Sequence, residues 1–195
     1  MNNNLKQLLA ELEHFGQQND LNAEHRGEKM LNITHDTGVF LASLVQSMRA
    51  TRILEIGTSN GYSTLWLADA AAQFGGSITT IELDAVKIEQ AKINFNRAGL
   101  ADRIMQVEAD AGPLLVEAKA DAFDIIFLDS DRSAYLDWWL HLRRAIRVGG
   151  VLVVDNATSH AEEMRAFMDQ VTADANFSTK LVDIGNGEFM AIRTA

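Results

Sequence analysis

The stretch Arg52–Ser63 constrains the fold more than any other part of the chain. Ile53 to Ile56 is a short apolar run of the kind that forms a strand buried on both faces. The run stops at Gly57, and Gly61 opens a helical pattern carrying Leu65, Leu67, Ala68 and Ala71. A strand, a glycine turn and a helix start make a cradle. Glycines admit close backbone approach, and the first N–H groups of the helix point at whatever lies there. The turn departs from the dinucleotide pattern G-x-G-x-x-G, because Thr58 and Ser59 follow Gly57 where a second glycine is wanted. Glu55, just ahead of the turn, would repel a pyrophosphate and suits a ligand with an ammonium or sulfonium centre.

The same unit recurs along the chain. Ser77–Leu83, Arg103–Glu108, Phe123–Leu128 and Val151–Val154 read as further strands. Helical patterns lie between them: one capped by Asp84 and ended by Gly99, a short one around Pro113, one from Ser133 to about Arg147, and one from about His160 to Ala173. Ahead of the first strand, Thr34 is placed to cap a helix through Ser47, with Val39, Phe40, Leu44 and Met48 facing inward. Alternating strands and helices call for a parallel sheet with right-handed crossovers. The pattern then changes. Phe177–Ile184 and Glu188–Arg193 flank Gly185-Asn186-Gly187, a hairpin signal, so the last strand should run antiparallel. Leu5, Leu8, Leu9 and Leu12 form one face of an N-terminal helix that packs on the domain or on a second subunit, and Gly16–Asn22 reads as a loop. The expectation is a single α/β domain over residues 1–195, with a helical extension at 1–31 and a core at 34–195.

Composition excludes several classes. The 195 residues suit one domain, and the 47% hydrophobic and 23% charged content is ordinary for a soluble globular chain. No run approaches the roughly 18 apolar residues of a membrane helix, and the start lacks the apolar core of a signal peptide. A cytoplasmic protein is the expectation. Without cysteine there is no disulfide, no zinc–thiolate site and no thiol nucleophile. A formal charge of −10 argues against a nucleic-acid partner, whose phosphates need clustered Lys and Arg.

Polar residues gather where the strands end. Glu82 closes the second strand, placed to accept hydrogen bonds from both hydroxyls of a ribose. Asp110 follows the third strand and could also cap the helix at Pro113. Asp129-Ser130-Asp131-Arg132 follows the fourth strand, and Asp155-Asn156 the fifth. Asp129, Asp155 and Asn156 offer hard oxygen ligands with neither sulfur nor imidazole, a set suited to Mg²⁺ or Ca²⁺.

The set Glu55, Gly57 and Gly61 resembles motif I of the class I S-adenosylmethionine-dependent methyltransferases, a three-layer Rossmann-like fold with a mostly parallel seven-stranded sheet and a C-terminal antiparallel hairpin. With Ile81-Glu82-Leu83-Asp84, Leu128-Asp129, Asp131-Arg132 and Gly149-Gly150 through Asp155-Asn156, the chain from about Thr34 to Arg193 resembles the metal-dependent O-methyltransferases, which include catechol and caffeoyl-coenzyme A O-methyltransferases and small bacterial relatives. The resemblance implies S-adenosylmethionine as cofactor, touching Ile33, Glu55, Gly57, Thr58, Ser59, Ser63, Glu82, Leu83, Asp110, Ala111, Asp129 and Asp131. It implies a divalent metal (Mg²⁺, with Ca²⁺ or Mn²⁺ as alternatives) on Asp129, Asp155 and Asn156, gripping both oxygens of an aromatic vicinal diol. A homodimer is also implied.

One departure stands out. The best-known members of that family carry a Lys as base three positions after the metal Asp; here it is Arg132, which does not give up its proton. The catalytic set is therefore Asp129, Arg132 and His160, with His160 preferred as base over His35 or a metal-bound water. Tyr135, Trp138, Trp139 and Leu142 have the spacing of a buried helix face rather than a substrate box. Two rival readings remain: a metal-independent methyltransferase of another small molecule or tRNA, and an S-adenosylmethionine-binding module without catalysis.

Overall fold

A computed structural model describes all of residues 1–195. The elements run α1 (Asn3–Asn22), α2 (His35–Met48), β1 (Arg52–Ile56), α3 (Tyr62–Ala72), β2 (Ser77–Glu82), α4 (Ala85–Ala98), β3 (Ile104–Glu108), α5 (Ala111–Glu117), β4 (Phe123–Leu128), α6 (Tyr135–Ala145), β5 (Ile146–Val154), α7 (Ala161–Thr172), β6 (Phe177–Val182) and β7 (Glu188–Arg193). One seven-stranded sheet has the order β3-β2-β1-β4-β5-β7-β6. The pairs from β3 across to β5 are parallel, and β7 runs antiparallel to both β5 and β6. The expected α/β class, mostly parallel sheet and terminal hairpin are all present.

Alternation along the strands builds three layers. Ile53, Ile125, Phe127, Val151 and Val153 pack under α1 to α4, while Leu54, Ile56, Ile126, Leu128, Leu152 and Val154 pack under α5 to α7. The leucine face of α1 is buried against this same chain, which resolves the choice left open by its spacing. Trp139 stacks edge-on against Phe167 and Phe177 in the second layer, so the tryptophan pair belongs to a helix face as expected.

Three boundaries and one helix face differ from the sequence expectations. Gly16–Asn22 is helix, not loop, because its polar side chains hold the next segment in place. Asp20 accepts from Met30 N at 2.6 Å and Leu31 N at 2.8 Å, and Asn19 Nδ2 donates to Glu28 O at 2.8 Å. Gly16 sits inside the helix because a β-carbon there would meet Asn32 Nδ2 at 2.5 Å. The inward face of α2 is Thr37, Gly38, Leu41 and Val45, with Val39 exposed and Phe40, Leu44 and Met48 at its half-buried margin. The helix expected from Ser133 starts at Tyr135 after a 3-10 turn over Arg132–Ala134. Finally, β5 begins at Ile146 and takes in Gly149-Gly150, with a shift of register against β4 between Phe123 and Ile125.

At the N-terminal end of the sheet, Asp124 accepts from Thr51 N and Arg52 N, both at 2.9 Å, and from Arg147 Nε at 2.7 Å and Arg52 Nη2 at 3.0 Å. This clamp ties β1, β4 and the start of β5 together. No helix is long and apolar enough to cross a membrane.

Candidate active site

The site lies at the carboxyl ends of β1, β2, β4 and β5. Ladder hydrogen bonds run one residue past the strands: Gly57 N to Ile81 O (2.9 Å), Asp129 N to Ile56 O (3.0 Å) and Asp155 N to Leu128 O (3.1 Å). Gly57, Asp129 and Asp155 are thus held side by side on a rigid rim. Gly57 has φ +107°, and a β-carbon there would fall 2.0 Å from Asp129 O, so only glycine lets the turn pass so close to β4.

Beneath the turn lies Glu55, fully buried. Its carboxylate accepts from Ser63 Oγ and Thr80 Oγ1, each at 2.6 Å, and from Thr64 Oγ1; Thr58 Oγ1 joins the chain through Thr80 at 2.6 Å. Burial pushes Glu55 up to about 7 despite these three hydroxyls. The sequence reading set Glu55 facing a cationic ligand. In the structure it is enclosed, and it braces the turn against the start of α3. Ser63 and Thr58 are spent on the same network.

Glu82 spans the turn from the other side. Its Oε2 accepts from Ser59 N at 2.9 Å, and its Oε1 from Leu83 N at 2.8 Å and Asp84 N at 3.1 Å. Ser59 Oγ donates to Met30 O at 2.7 Å, which brings the segment leading to Ile33 against the turn. Ile33 is buried, whereas Leu83 projects outward. Asp110 caps α5 through Gly112 N at 2.8 Å, beside buried Ala111, and Asp131 caps the next turn through Ser133 N at 3.0 Å. Both acids are exposed.

The acidic rim is gathered by parity. Glu55 shares a face with Ile53, Asp129 with Phe127, and Asp155 with Val153, so all three carboxylates sit on the α2–α3 side. Asn156, at φ +66°, donates from Nδ2 to Asp155 Oδ2 at 2.8 Å and Asp129 Oδ1 at 3.3 Å, and its Oδ1 accepts from Ser159 Oγ at 3.2 Å. Burial, then the charge of Asp155, raises Asp129 well above the usual carboxylate range; burial raises Asp155 as well. Asp155 Oδ1 has no donor. A dication would relieve this crowding of buried acids, and two carboxylates with an amide oxygen are the hard ligands it takes. The Asn156 amide must turn over to offer that oxygen, and no group of three His, Cys, Asp or Glu converges here.

Arg132 is largely buried and donates from Nε to Glu163 Oε2 at 2.8 Å, which fixes its charge near Asp129 and Asp155. His160 precedes α7 with Nδ1 2.9 Å from Ser159 Oγ. His35 stacks edge-on against Trp66 at 5.3 Å, beside Asp36. Three roles are not visible in the sequence. Glu163 clamps Arg132, and Tyr135 Oη accepts from Ser130 N at 2.7 Å to brace the loop after β4. Glu188, fully buried on β7, faces this cluster. Only Glu188 left a signal: an acid directly ahead of the apolar run Phe189–Ile192.

The model of the O-methyltransferase family matches residues 2–193. The chain belongs to that family. Among curated O-methyltransferases, a catechol O-methyltransferase of Mycobacterium tuberculosis is 39% identical over 127 residues, covering 64% of this chain and 56% of that protein. One from Niastella koreensis is 37% identical over 134 residues, covering 67% and 60%. The matched stretch thus spans less than two thirds of those relatives' length. Over the whole fold, the O-methyltransferase of Bacillus cereus in complex with SAH superposes with a TM-score of 0.79 at 26% identity, covering 100% of this chain and 92% of that one. TomG of Streptomyces achromogenes, an O-methyltransferase in complex with SAM, gives 0.79 at 25% identity, covering 100% and 91%.

Proposed function

We propose that the protein transfers the methyl group of S-adenosylmethionine to a hydroxyl of a small aromatic vicinal diol held on a divalent cation. The observation that carries this reading is the pair of half-buried Asp129 and buried Asp155, side by side on the rim next to the glycine turn with only an amide between them. Family membership and the catechol-type relatives support the same chemistry.

In this reading Gly57, Thr58 and Ser59 hold the cofactor with Glu82, whose carboxylate meets the ribose, while Asp110 and Ala111 flank the adenine and Ile33, Ser63, Leu83 and Asp131 complete the seat. Asp129, Asp155 and Asn156 hold the metal. A bound dication favours the ionised form of a phenol, whose ordinary value is near ~10, and fixes its oxygen for attack. The sulfonium carbon is already activated, so the chain's task is alignment. The acceptor oxygen forms a bond to the methyl carbon as the bond to sulfur breaks, and the hydroxyl proton leaves. His160 is the proposed proton acceptor, with Nδ1 engaged by Ser159 and Nε2 left for the proton. Arg132, pinned by Glu163, stays charged throughout and steadies the acceptor's negative oxygen. The leucine face of α1 is used within the chain, so a homodimer would form through another surface.

One observation favours a metal-independent methyltransferase: Asn156 turns its amide nitrogen, not its oxygen, toward both carboxylates. Turnover of S-adenosylmethionine with a vicinal-diol panel separates the two. We expect methylation that stops on chelation and returns with Mg²⁺. Undiminished turnover after exhaustive chelation would overturn the metal reading, and no turnover on any acceptor would favour the binding module.

A further inference from the structure

Glu188 has no task in the chemistry above, yet it is fully buried at the head of β7. The antiparallel register pairs Val153 with Met190 and Val154 with Phe189, so the next pair along is Asp155 and Glu188. Directly opposed side chains on such strands have β-carbons about 5 Å apart. Both project to the α2 face, because Asp155 shares parity with Val153 and Glu188 with Met190, and those two pack there. From α2, buried Thr37 donates its hydroxyl to Glu188 Oε1 at 2.9 Å. Thr37 Oγ1 lies in turn 3.1 Å from Oγ1 of Thr34, the cap of α2. Every neighbour satisfied, two oxygens are left over, Asp155 Oδ1 and Glu188 Oε2. The register sets these two carboxyl groups against each other, and no other donor reaches either oxygen.

Opposed carboxyls in a buried pair cannot both be ionised. A hydrogen shared between the two partnerless oxygens satisfies both, and the Thr37 hydroxyl holds the Glu188 carboxyl in place to share it.

We infer that Glu188 is the positioning residue of Asp155: anchored by Thr37, it fixes the Asp155 carboxylate with its other oxygen turned to the rim where the proposed divalent cation binds. The inference rests on the metal reading given above. It also gives a purpose to Thr37, the polar residue that opens the otherwise apolar inward face of α2. An outer partner that orients a carboxylate ligand sets metal affinity without touching the metal, and its loss costs roughly 10- to 100-fold.

The test is calorimetric titration of Mg²⁺ into protein loaded with S-adenosylhomocysteine, for the wild type and for Glu188→Gln, Glu188→Leu and Thr37→Val. Glutamine keeps both an N–H donor for Asp155 and an oxygen for Thr37, so Glu188→Gln should retain wild-type affinity. Glu188→Leu fills the space without a donor and should bind Mg²⁺ roughly 10- to 100-fold more weakly. Thr37→Val should shift affinity in the same direction by less, and affinity for S-adenosylhomocysteine should be the same in all four. Equal Mg²⁺ affinity in the wild type and Glu188→Leu would overturn the inference and leave the metal reading standing. No saturable Mg²⁺ binding by the wild type would overturn both. Parallel loss of Mg²⁺ and S-adenosylhomocysteine affinity in Glu188→Leu, with Thr37→Val unchanged, would reduce Glu188 to packing and overturn the inference.

Discussion

Asp124 and Asp129 stand at opposite ends of one strand and have opposite surroundings. Burial alone would raise Asp124, but the backbone N–H of Thr51, the Arg147 and Arg52 side chains and the Arg52 N–H outweigh it and hold the carboxyl well below its usual range. Asp129 is half-buried, yet it faces Asp155 and Glu55 and has only Asn156 as a hydrogen-bond partner, with Arg132 close by; it is raised. The same residue type on the same strand is compensated at the bottom of the sheet and left short at the top. The bottom carboxylate binds the fold together. The top ones store unfavourable energy that a ligand can release, the usual exchange of stability for activity.

The contrast can be broken from either end. The largest effect belongs to the rim: Asp155→Ala should lower turnover by roughly 10³-fold, the scale of losing a group that stabilises the transition state, while the melting temperature of the metal-free protein stays level or rises. Asp124→Ala should do the reverse. It strands two backbone donors and two partly exposed arginines, so chemical denaturation should show a loss of about 2–3 kcal/mol, with turnover per folded molecule unchanged.

A smaller effect sharpens the picture through pH. Glu55 is raised from 4.5 to about 7, so the folded state holds a proton the unfolded state has given up between those values. Its contribution is complete below pH 4.5 and is lost as pH rises through 7. Stability of the apo wild type should therefore decline across that window, and Glu55→Gln should flatten this part of the profile. Smallest of all, Asp129→Asn should raise the stability of the metal-free protein by about 1 kcal/mol, the common gain on relieving a strained site.

The features legible in the sequence were those encoded locally. Gly57 and Gly61 mark the turn by themselves, and Asp129, Asp155 and Asn156 stand at strand ends that apolar runs make visible. The hairpin was written in Gly185-Asn186-Gly187. What escaped depends on partners far along the chain. Thr37 and Glu188 are 151 positions apart, and no local pattern joins them. The polar half of α1 does not show as helix in the sequence because its hydrogen bonds go to Glu28, Met30 and Leu31, which a helical periodicity cannot show. Glu55 was recognised as part of the site but given the wrong posture, since the hydroxyls that enclose it come from α3 and β2.

The uncompensated rim is the proposed cation site. Its most direct test is Mg²⁺ titrated calorimetrically into protein loaded with S-adenosylhomocysteine, beside Asp129→Ala. We predict saturable binding by the wild type and none by the variant. Absence of binding by wild-type protein whose cofactor seat is filled, or identical binding by both proteins, would contradict it.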